Sequence, residues 1–341
     1  MPGKSFERDG DGSRVGNETE LIQTYLAPLA EGMAGAFGLA DDAAVLRPAS
    51  GCDLVFSSDP IIAGVHFFAD DRPADIAWKA LACNASDMAA KGAVPLAYLL
   101  TLALPEAPER AWIAAFADGL RAAQSAFGCK LIGGDTDLTP GPLSIGITII
   151  GSVPAGKFIP RHGAKAGDHV FVSGTIGDAA LGLALRREPS LFSELTIADH
   201  AFLLDRYLRP RPRLALADAV RRHTRAALDI SDGLMKDLSR LAGSSLGIAL
   251  KFDAIPLSSP VRAALAADPK VRDSILSGGD DYELLVAVPP EAAEQFLASA
   301  GKLGIDVHDI GVLNANVPTV ALDSSGEPIT LRRPGYDHFS R

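Results

Sequence analysis

The sequence predicts an α/β protein folded as two domains, and three observations carry that prediction. The chain has 341 residues, and a domain usually takes roughly 100–200. Short apolar runs alternate with longer helical patterns, the signature of strands interleaved with helices. Residues 154–167 hold glycine, proline and lysine but no long apolar run, which marks a boundary. The expected division is a flexible tail over 1–18, an N-terminal domain over 19–154 and a C-terminal domain over 155–341.

Hydrophobic residues make up 48% of the chain, enough for real cores, and no apolar run reaches the length of a membrane span. The first twenty residues, MPGKSFERDGDGSRVGNETE, are charged and lack the apolar stretch of a secretory signal. They read as a mobile tail. Cys52, Cys83 and Cys129 are scattered without CxxC spacing. That fits a reducing cytosol, with the thiols as small core residues, and argues against a structural zinc site. Net charge is −10, from 32 basic and 42 acidic residues. This speaks against non-specific nucleic-acid binding, which needs a basic footprint. Phosphorylated small molecules remain open, provided cations separate them from clustered aspartates. Two like charges ~4 Å apart repel by ~4 kcal/mol at an effective dielectric of ~20.

In the first domain, Leu21, Ile22, Tyr25, Leu26 and Leu29 recur at helical spacing within residues 18–36. A loop then carries Asp41 and Asp42 before a short apolar run; a turn before an edge strand accounts for it equally. Leu54-Val55-Phe56 looks like a buried strand ending in Ser57-Ser58-Asp59-Pro60. Ligands bind at the carboxyl ends of strands in α/β proteins, and two hydroxyls with a carboxylate suit a hard, oxygen-preferring cation. A plain Ser/Asp turn explains the same residues. His66 follows, between Val65 and Phe67. Residues 74–91 predict a helix without internal glycine or proline. Asn84 and Asp87 share one of its faces among alanines, Cys83 and Met88. A carboxylate there needs either a metal or a partner such as Lys91, four residues on. Strands are expected over 96–104 and 143–153, with an amphipathic helix over 110–127 between them. A further strand from Cys129 runs into Gly133-Gly134-Asp135-Thr136-Asp137. The two glycines allow a tight turn and close approach of backbone to a ligand; a plain hairpin turn is the alternative.

Arg161 lies in the boundary segment, either reaching a phosphate or simply solvated. A strand over 169–173, the turn Gly174-Thr175-Ile176-Gly177-Asp178 and a helix from Ala179 have the layout of a phosphate-binding turn. The GxxxxGK[ST] pattern and its lysine are missing. Residues 207–213, YLRPRPR, form a basic connector, an anion contact or a semi-rigid loop. A short apolar run ends in Asp229-Ile230-Ser231-Asp232-Gly233 before a helix over 234–242. An N-cap accounts for Ser231 or Asp232 but not for Asp229 at the strand end. Two carboxylates and a hydroxyl at this junction make a credible metal site. SGGDDYELLVAVP, residues 277–289, sets a Gly-Gly turn and an Asp pair before a strand. Weak late strands are expected over 311–320 and 329–331, and the aromatic end over 333–339 is expected to dock.

The motifs DDAAV, SSDPIIAGVHF, WKALACNASDMAAKGAVP, LIGGDTD, RHGAKAGD, DISDG, SGGDDYELL and GYDHF occur in this order over about residues 20–339. Together they closely resemble the thiamine-monophosphate kinases, of the superfamily that also holds aminoimidazole ribonucleotide synthetase and selenophosphate synthetase. The resemblance implies a two-domain, aminoimidazole ribonucleotide synthetase-like fold of α/β (α+β) type. In it, an N-terminal mixed sheet pairs through its strands in a homodimer, a C-terminal α/β domain follows, and ATP lies in a cleft near the domain junction. It implies a cytoplasmic enzyme that phosphorylates thiamine monophosphate to thiamine diphosphate, the last step of thiamine diphosphate biosynthesis. ATP is the co-substrate, several Mg2+ ions assist, and transfer is direct. Carried over position by position, the magnesium ligands fall on Asp42, Ser57, Ser58, Asp59, Asp87, Asp135, Asp229 and Asp232. Nucleotide contacts fall on Gly134, Asp135, Arg161 and Ser231, and thiamine-phosphate contacts on His66, Asp280 and Tyr336.

Some positions depart from the family pattern. Ala40 replaces a glycine, Ser58-Asp59-Pro60 replaces Thr-Asp-Thr, Asp137 replaces a threonine, and Asp280 is one methylene shorter than the usual glutamate. The implied chemistry nevertheless hangs together. Phosphoryl transfer needs positioning and charge neutralisation more than covalent help, and an anionic acceptor makes magnesium held by scattered aspartates the direct answer to repulsion. The acceptor phosphate is already ionised at neutral pH, so no general base is required. His66 is expected to orient the substrate, the alternative being a packed neutral histidine. Two further readings compete: another ATP-dependent enzyme of the superfamily, and a non-catalytic nucleotide-binding sensor. Selenophosphate synthetase should carry a reactive N-terminal cysteine, yet none precedes Cys52. A sensor has little use for so many separated carboxylates.

Overall fold

The computed structural model describes residues 13–339. They form two compact units. The first holds the described residues up to Ser50, Phe56–Asn84 and Pro95–Ser152; the second holds Gly51–Val55, Ala85–Val94 and the described residues from Val153 onward. The two short insertions into the second unit left no mark in the sequence pattern. Most of the segment read as a tail, residues 1–12, lies outside the described residues. Residues 13–17 are held in place: Val15 is buried and its N–H donates to Pro108 O at 3.0 Å, while Arg14 pairs with Glu106 at 2.9 Å.

The first unit begins with α1 (Glu18–Leu21), capped by the Asn17 side chain. One helix was expected to reach residue 36. Instead the chain loosens into a π turn over Ile22–Leu26 and tightens into a 3-10 turn over Ala27–Ala30. Pro28 has no N–H to continue the ladder. Then come β1 (Cys52–Ile62), α2 (Pro73–Ala90), β2 (Val94–Leu104), α3 (Arg110–Phe127), β3 (Lys130–Leu138) and β4 (Ser144–Pro154). The sheet order is β1-β4-β2-β3, with β2 and β3 parallel.

Two expectations fail here. β1 does not end at Ser57; it continues to Ile62 at the margin of its sheet, with Phe56 62% exposed, so Ser57, Ser58 and Asp59 lie within the strand. Nor do Gly133 and Gly134 make a turn. Both lie in β3 beside β2, next to a register shift, and a Cβ on Gly134 would sit 1.8 Å from Leu100 O. The glycine is required by the neighbouring strand.

The second unit contains β5 (His169–Ser173), α4 (Asp178–Arg187), α5 (Ile197–Leu208), α6 (Ala217–His223), β6 (Ala226–Asp229) and α7 (Leu234–Ala242). After these come β7 (Leu246–Gly247), β8 (Ala249–Lys251), α8 (Ser259–Ala267), α9 (Val271–Ser277) and β9 (Leu284–Val288). The series closes with α10 (Ala293–Lys302), β10 (Val307–Val312), β11 (Asn314–Ala315) and β12 (Val320–Leu322). Residues 329–331 form no strand; only Pro328 makes an isolated bridge, to Leu322.

The main sheet, β10-β5-β9-β6, is antiparallel throughout, and β5, β9 and β6 are buried on both faces while the edge strand β10 is partly exposed. Alternate residues go to opposite cores, as strand geometry demands. Val170, Val172, Leu228 and Leu285 join α4, α5, α7, α8 and α9 on one face. Phe171, Ala227, Leu284 and Val286 join α6 and α10 on the other, where Phe171 meets Phe296 edge-on at 5.5 Å. This two-sided burial explains why HVFVS and LLVAV read as unbroken apolar runs. The three cysteines are free thiols, and burial pushes Cys129 up to about 12. No helix among the described residues is long and apolar enough to cross a membrane.

Candidate functional site

Asp229 ends β6 and is only 8% exposed. Burial pushes its pKa well above the usual carboxylate range, and the nearby charge of Asp87 pushes it further; the Ser86 hydroxyl and Lys91 pull partly back. Ser86, Asp87 and Lys91 come from the last turn of α2 and just beyond it. The pairing of Asp87 with Lys91 alone, one of the two sequence readings, is therefore incomplete. The structure brings Asp87 and Asp229 together and sets one ammonium beside them. Two like charges in so dry a place are costly without a cation.

Past β6, neither Ser231 nor Asp232 caps α7 with its side chain; Gly233 occupies the cap position. The carboxylate of Asp237, in the first turn, reaches back and accepts from the amides of Ser231 at 3.1 Å and Asp232 at 2.9 Å. Asp232 is engaged by Lys236 at 3.0 Å and Arg240 at 2.7 Å. A metal ion at Asp232 has two basic side chains to displace, so Asp229 is the aspartate whose surroundings ask for a cation.

The loop before β9 is stitched to this junction by backbone hydrogen bonds. Asp280 N–H donates to Ser231 O at 3.0 Å, Tyr282 N–H to Ile230 O at 2.9 Å, and Ile230 N–H to Glu283 O at 2.8 Å. The approach is close enough that a Cβ on Gly279 would lie 2.1 Å from Ser231 O. Asp280 and Tyr282 adopt left-handed backbone, φ 70° and 50°. The aromatic end docks on the same junction, as expected. Tyr336 N–H donates to Asp232 O at 2.8 Å and its carbonyl accepts from Lys236 Nζ. Its ring meets His338 edge-on at 4.8 Å. Ser231, Asp232, Asp280 and Tyr336 thus belong to one hydrogen-bonded assembly.

Two neighbours of Asp280 hold that loop from behind, and sequence reasoning missed both. Asp281 is buried, with its pKa raised well above the usual range by burial, and accepts from the amides of Gly177 at 2.9 Å and Ala179 at 3.3 Å. The N-terminus of α4 is therefore filled by the chain's own carboxylate, which overturns its reading as a phosphate-binding turn. Glu283 is fully buried. It accepts from Ser173 Oγ at 2.6 Å, Arg206 Nη2 at 2.8 Å and Arg213 Nε at 2.6 Å, with Arg213 Nη2 as a further donor. The basic stretch 207–213 does contact an anion, but an internal one. Its first two residues belong to α5. No periodic signal marks Asp281 and Glu283 in the sequence: the segment precedes β9, and Asp281, Tyr282 and Glu283 are all buried.

In the first unit the predicted residues are more dispersed. Ser58 Oγ and Thr148 Oγ1 lie 2.8 Å apart, joining β1 to β4. Asn84 is fully buried and clamps the backbone of Asp59, accepting from its N–H at 3.0 Å and donating to its carbonyl at 3.3 Å. Asn84 therefore pins β1. Asp42, Asp59 and Asp135 are exposed, and Asp135 accepts from the Thr136 amide at 2.9 Å. His66 is half-buried, and its Nδ1 accepts from Ile62 N–H at 3.0 Å, so the neutral ring carries its proton on Nε2. It is not a packed core histidine. Arg161, in the second unit, is exposed, and its charge bears on Lys91.

Among the described residues, no group of three or more His, Cys, Asp or Glu side chains converges as a metal cage. The donors fit magnesium in another way. All are oxygens, arranged singly or as the Asp87–Asp229 pair, and magnesium is commonly held by one or two carboxylates together with substrate phosphates and water.

The chain is similar to known proteins along most of its length. Residues 40–153 match the AIR synthase related protein N-terminal domain, and residues 165–322 the corresponding C-terminal domain. Thiamine-monophosphate kinase of Salmonella typhimurium is 41% identical over 304 residues, 89% of this chain and 92% of the relative. A crystal structure of thiamine-monophosphate kinase from Stenotrophomonas maltophilia superposes with a TM-score of 0.76 at 39% identity, covering 85% of this chain and 90% of that one. A structure of AaThiL complexed with AMPPCP and TMP gives a TM-score of 0.73 at 29% identity, covering 94% and 97%.

Proposed function

We propose, from the premise that this chain belongs to the thiamine-monophosphate kinases of the AIR synthase related family, that it transfers the γ-phosphoryl group of ATP to thiamine monophosphate. Kinship along nearly the whole chain carries the reading, and the stitched assembly of residues 229–233, 278–283 and 335–336 supports it. A terminal oxygen of the thiamine phosphate attacks the γ-phosphorus. The bond from that phosphorus to the β,γ-bridging oxygen breaks, leaving thiamine diphosphate and ADP. The nucleophile is already ionised at neutral pH, so the protein's task is to hold two anions in line.

Magnesium, when bound, neutralises charge on the facing phosphates. Asp87 and Asp229 are assigned to hold it in the second unit, with Asp232 once its basic partners give way. Asp42, Ser57, Ser58, Asp59 and Asp135 are assigned to it in the first. Gly134, Asp135, Arg161 and Ser231 are assigned to the nucleotide. His66, through its Nε2–H, Asp280 and Tyr336 are assigned to thiamine monophosphate. A homodimer is proposed as well, supported by the marginal position of β1 and the exposure of Phe56. Purified protein given ATP, thiamine monophosphate and magnesium is expected to form ADP and thiamine diphosphate, and to stop when EDTA is added. Nucleotide binding without turnover would overturn the reading in favour of a sensor.

A further inference from the structure

We propose that Lys91 is a positioning residue for the Asp87–Asp229 pair: its ammonium is a built-in counter-cation that sets how strongly the two carboxylates bind magnesium. The inference rests on the assignment of Asp87 and Asp229 as ligands.

The geometry starts from α2. Lys91 lies one turn beyond Asp87, and its N–H donates to Asp87 O at 2.9 Å. Its side chain is carried across to the sheet, where Nζ donates to Ala227 O at 2.7 Å, two residues before Asp229 on β6. On the other side, Lys91 O accepts from Ile159 N–H at 3.4 Å. Both the backbone and the ammonium are thus fixed.

The surroundings do little else for a cation. Ala89, Ala90 and Ala227 are fully buried members of the adjoining core, and the positive charge of Arg161 opposes the ammonium. Lys91 is itself half-buried against that core, with its ammonium turned to β6. A lysine placed in such a setting is costly unless its charge is used. The use available is neutralisation of two carboxylates that lie near each other. A fixed monovalent charge there has a second effect: it repels an arriving divalent ion. Magnesium is then held weakly by the protein alone and firmly only when nucleotide phosphates complete its oxygen shell.

The test compares the full chain with Lys91→Met and Lys91→Arg. Magnesium is titrated with and without a non-hydrolysable ATP analogue, and binding is read by calorimetry and by the shift in melting temperature. Lys91→Met, which keeps the length and removes the charge, is expected to lower the magnesium midpoint at least about threefold without nucleotide. Lys91→Arg, which keeps the charge, is expected to stay within about twofold of the wild type. An unchanged or higher midpoint in Lys91→Met overturns the proposal while leaving the ligand assignment standing. The absence of any magnesium response in the wild type overturns the assignment, and the proposal with it. Should Lys91→Met fail to fold, Lys91→Gln replaces it with the same expected direction.

Discussion

The backbone N–H of Asp280 donates to the carbonyl of Ser231 at 3.0 Å, tying a proposed substrate residue to a proposed nucleotide residue far away in the chain. Gly279 makes this contact sterically feasible. Gly279→Ala would place a methyl group 2.1 Å from Ser231 O, and backbone cannot move aside as a flexible side chain can. We expect a loss of about 1–3 kcal/mol in urea denaturation, together with a higher KM for thiamine monophosphate.

Asp280 itself sits at φ 70°. Aspartate tolerates the left-handed region better than glutamate does, because its short side chain can bond locally. The departure from the family's usual glutamate therefore suits this backbone. Asp280→Glu is expected to cost a few tenths to about 1 kcal/mol of stability while leaving the KM for thiamine monophosphate within a few fold. Asp280→Asn keeps the shape and removes the charge, and is expected to raise that KM about tenfold or more. Equal KM values for Asp280→Asn and wild type would remove Asp280 from the substrate site.

Asp229 is a residue whose replacement should separate stability from activity. Its buried carboxylate faces the charge of Asp87. Asp229→Asn removes that repulsion, so the melting temperature in EDTA is expected to rise, while turnover with magnesium falls by about a hundredfold or more. A variant that loses stability and keeps its activity would contradict both parts.

His223, at the end of α6, supplies a pH dependence away from the site. Burial lowers its pKa below 6.5, and the charge of Arg222 adds to this. The unfolded chain then binds more protons than the folded one as pH falls through the ordinary histidine range. His223 contributes stability that is present above about 6.5 and is lost as pH drops through its lowered value. Urea midpoints measured between pH 5 and 7.5 are expected to fall more steeply on the acid side for the wild type than for His223→Asn.

Much of the fold was legible because its strands and main helices carry strong patterns. The helix over 234–242 and the docked aromatic end are where the residues place them. What failed has physical causes. Serines and a proline after Leu54-Val55-Phe56 looked like a strand end, but an outer strand can carry polar groups and a proline where a central one cannot. Gly133-Gly134 looked like a turn because a glycine needed for close strand packing is indistinguishable, in sequence, from one needed for φ. Ser231 and Asp232 looked like caps, yet Gly233 takes that position and the carboxylate of Asp237, inside the helix, holds the amides of both. The Asp87–Asp229 encounter was only half visible: Asp87 stood out as a carboxylate among apolar neighbours and Asp229 as one at a strand end, but the sequence offered Lys91 as a partner for Asp87 without showing that it crosses to β6. Asp281 showed only as one of an Asp pair, and nothing in the sequence marks Glu283 as the acceptor of two arginines that precede it by some seventy residues or more.

The carboxylate of Asp281 has a consequence that can be read in time. The amides of Gly177 and Ala179 lie in buried backbone and both donate to Asp281. In deuterium exchange those two hydrogens are therefore expected to open together, and their rate reports on the loop over 278–283 rather than on α4. They form an internal clock for that loop. A substrate that settles against Asp280 should slow both amides, even though it touches neither.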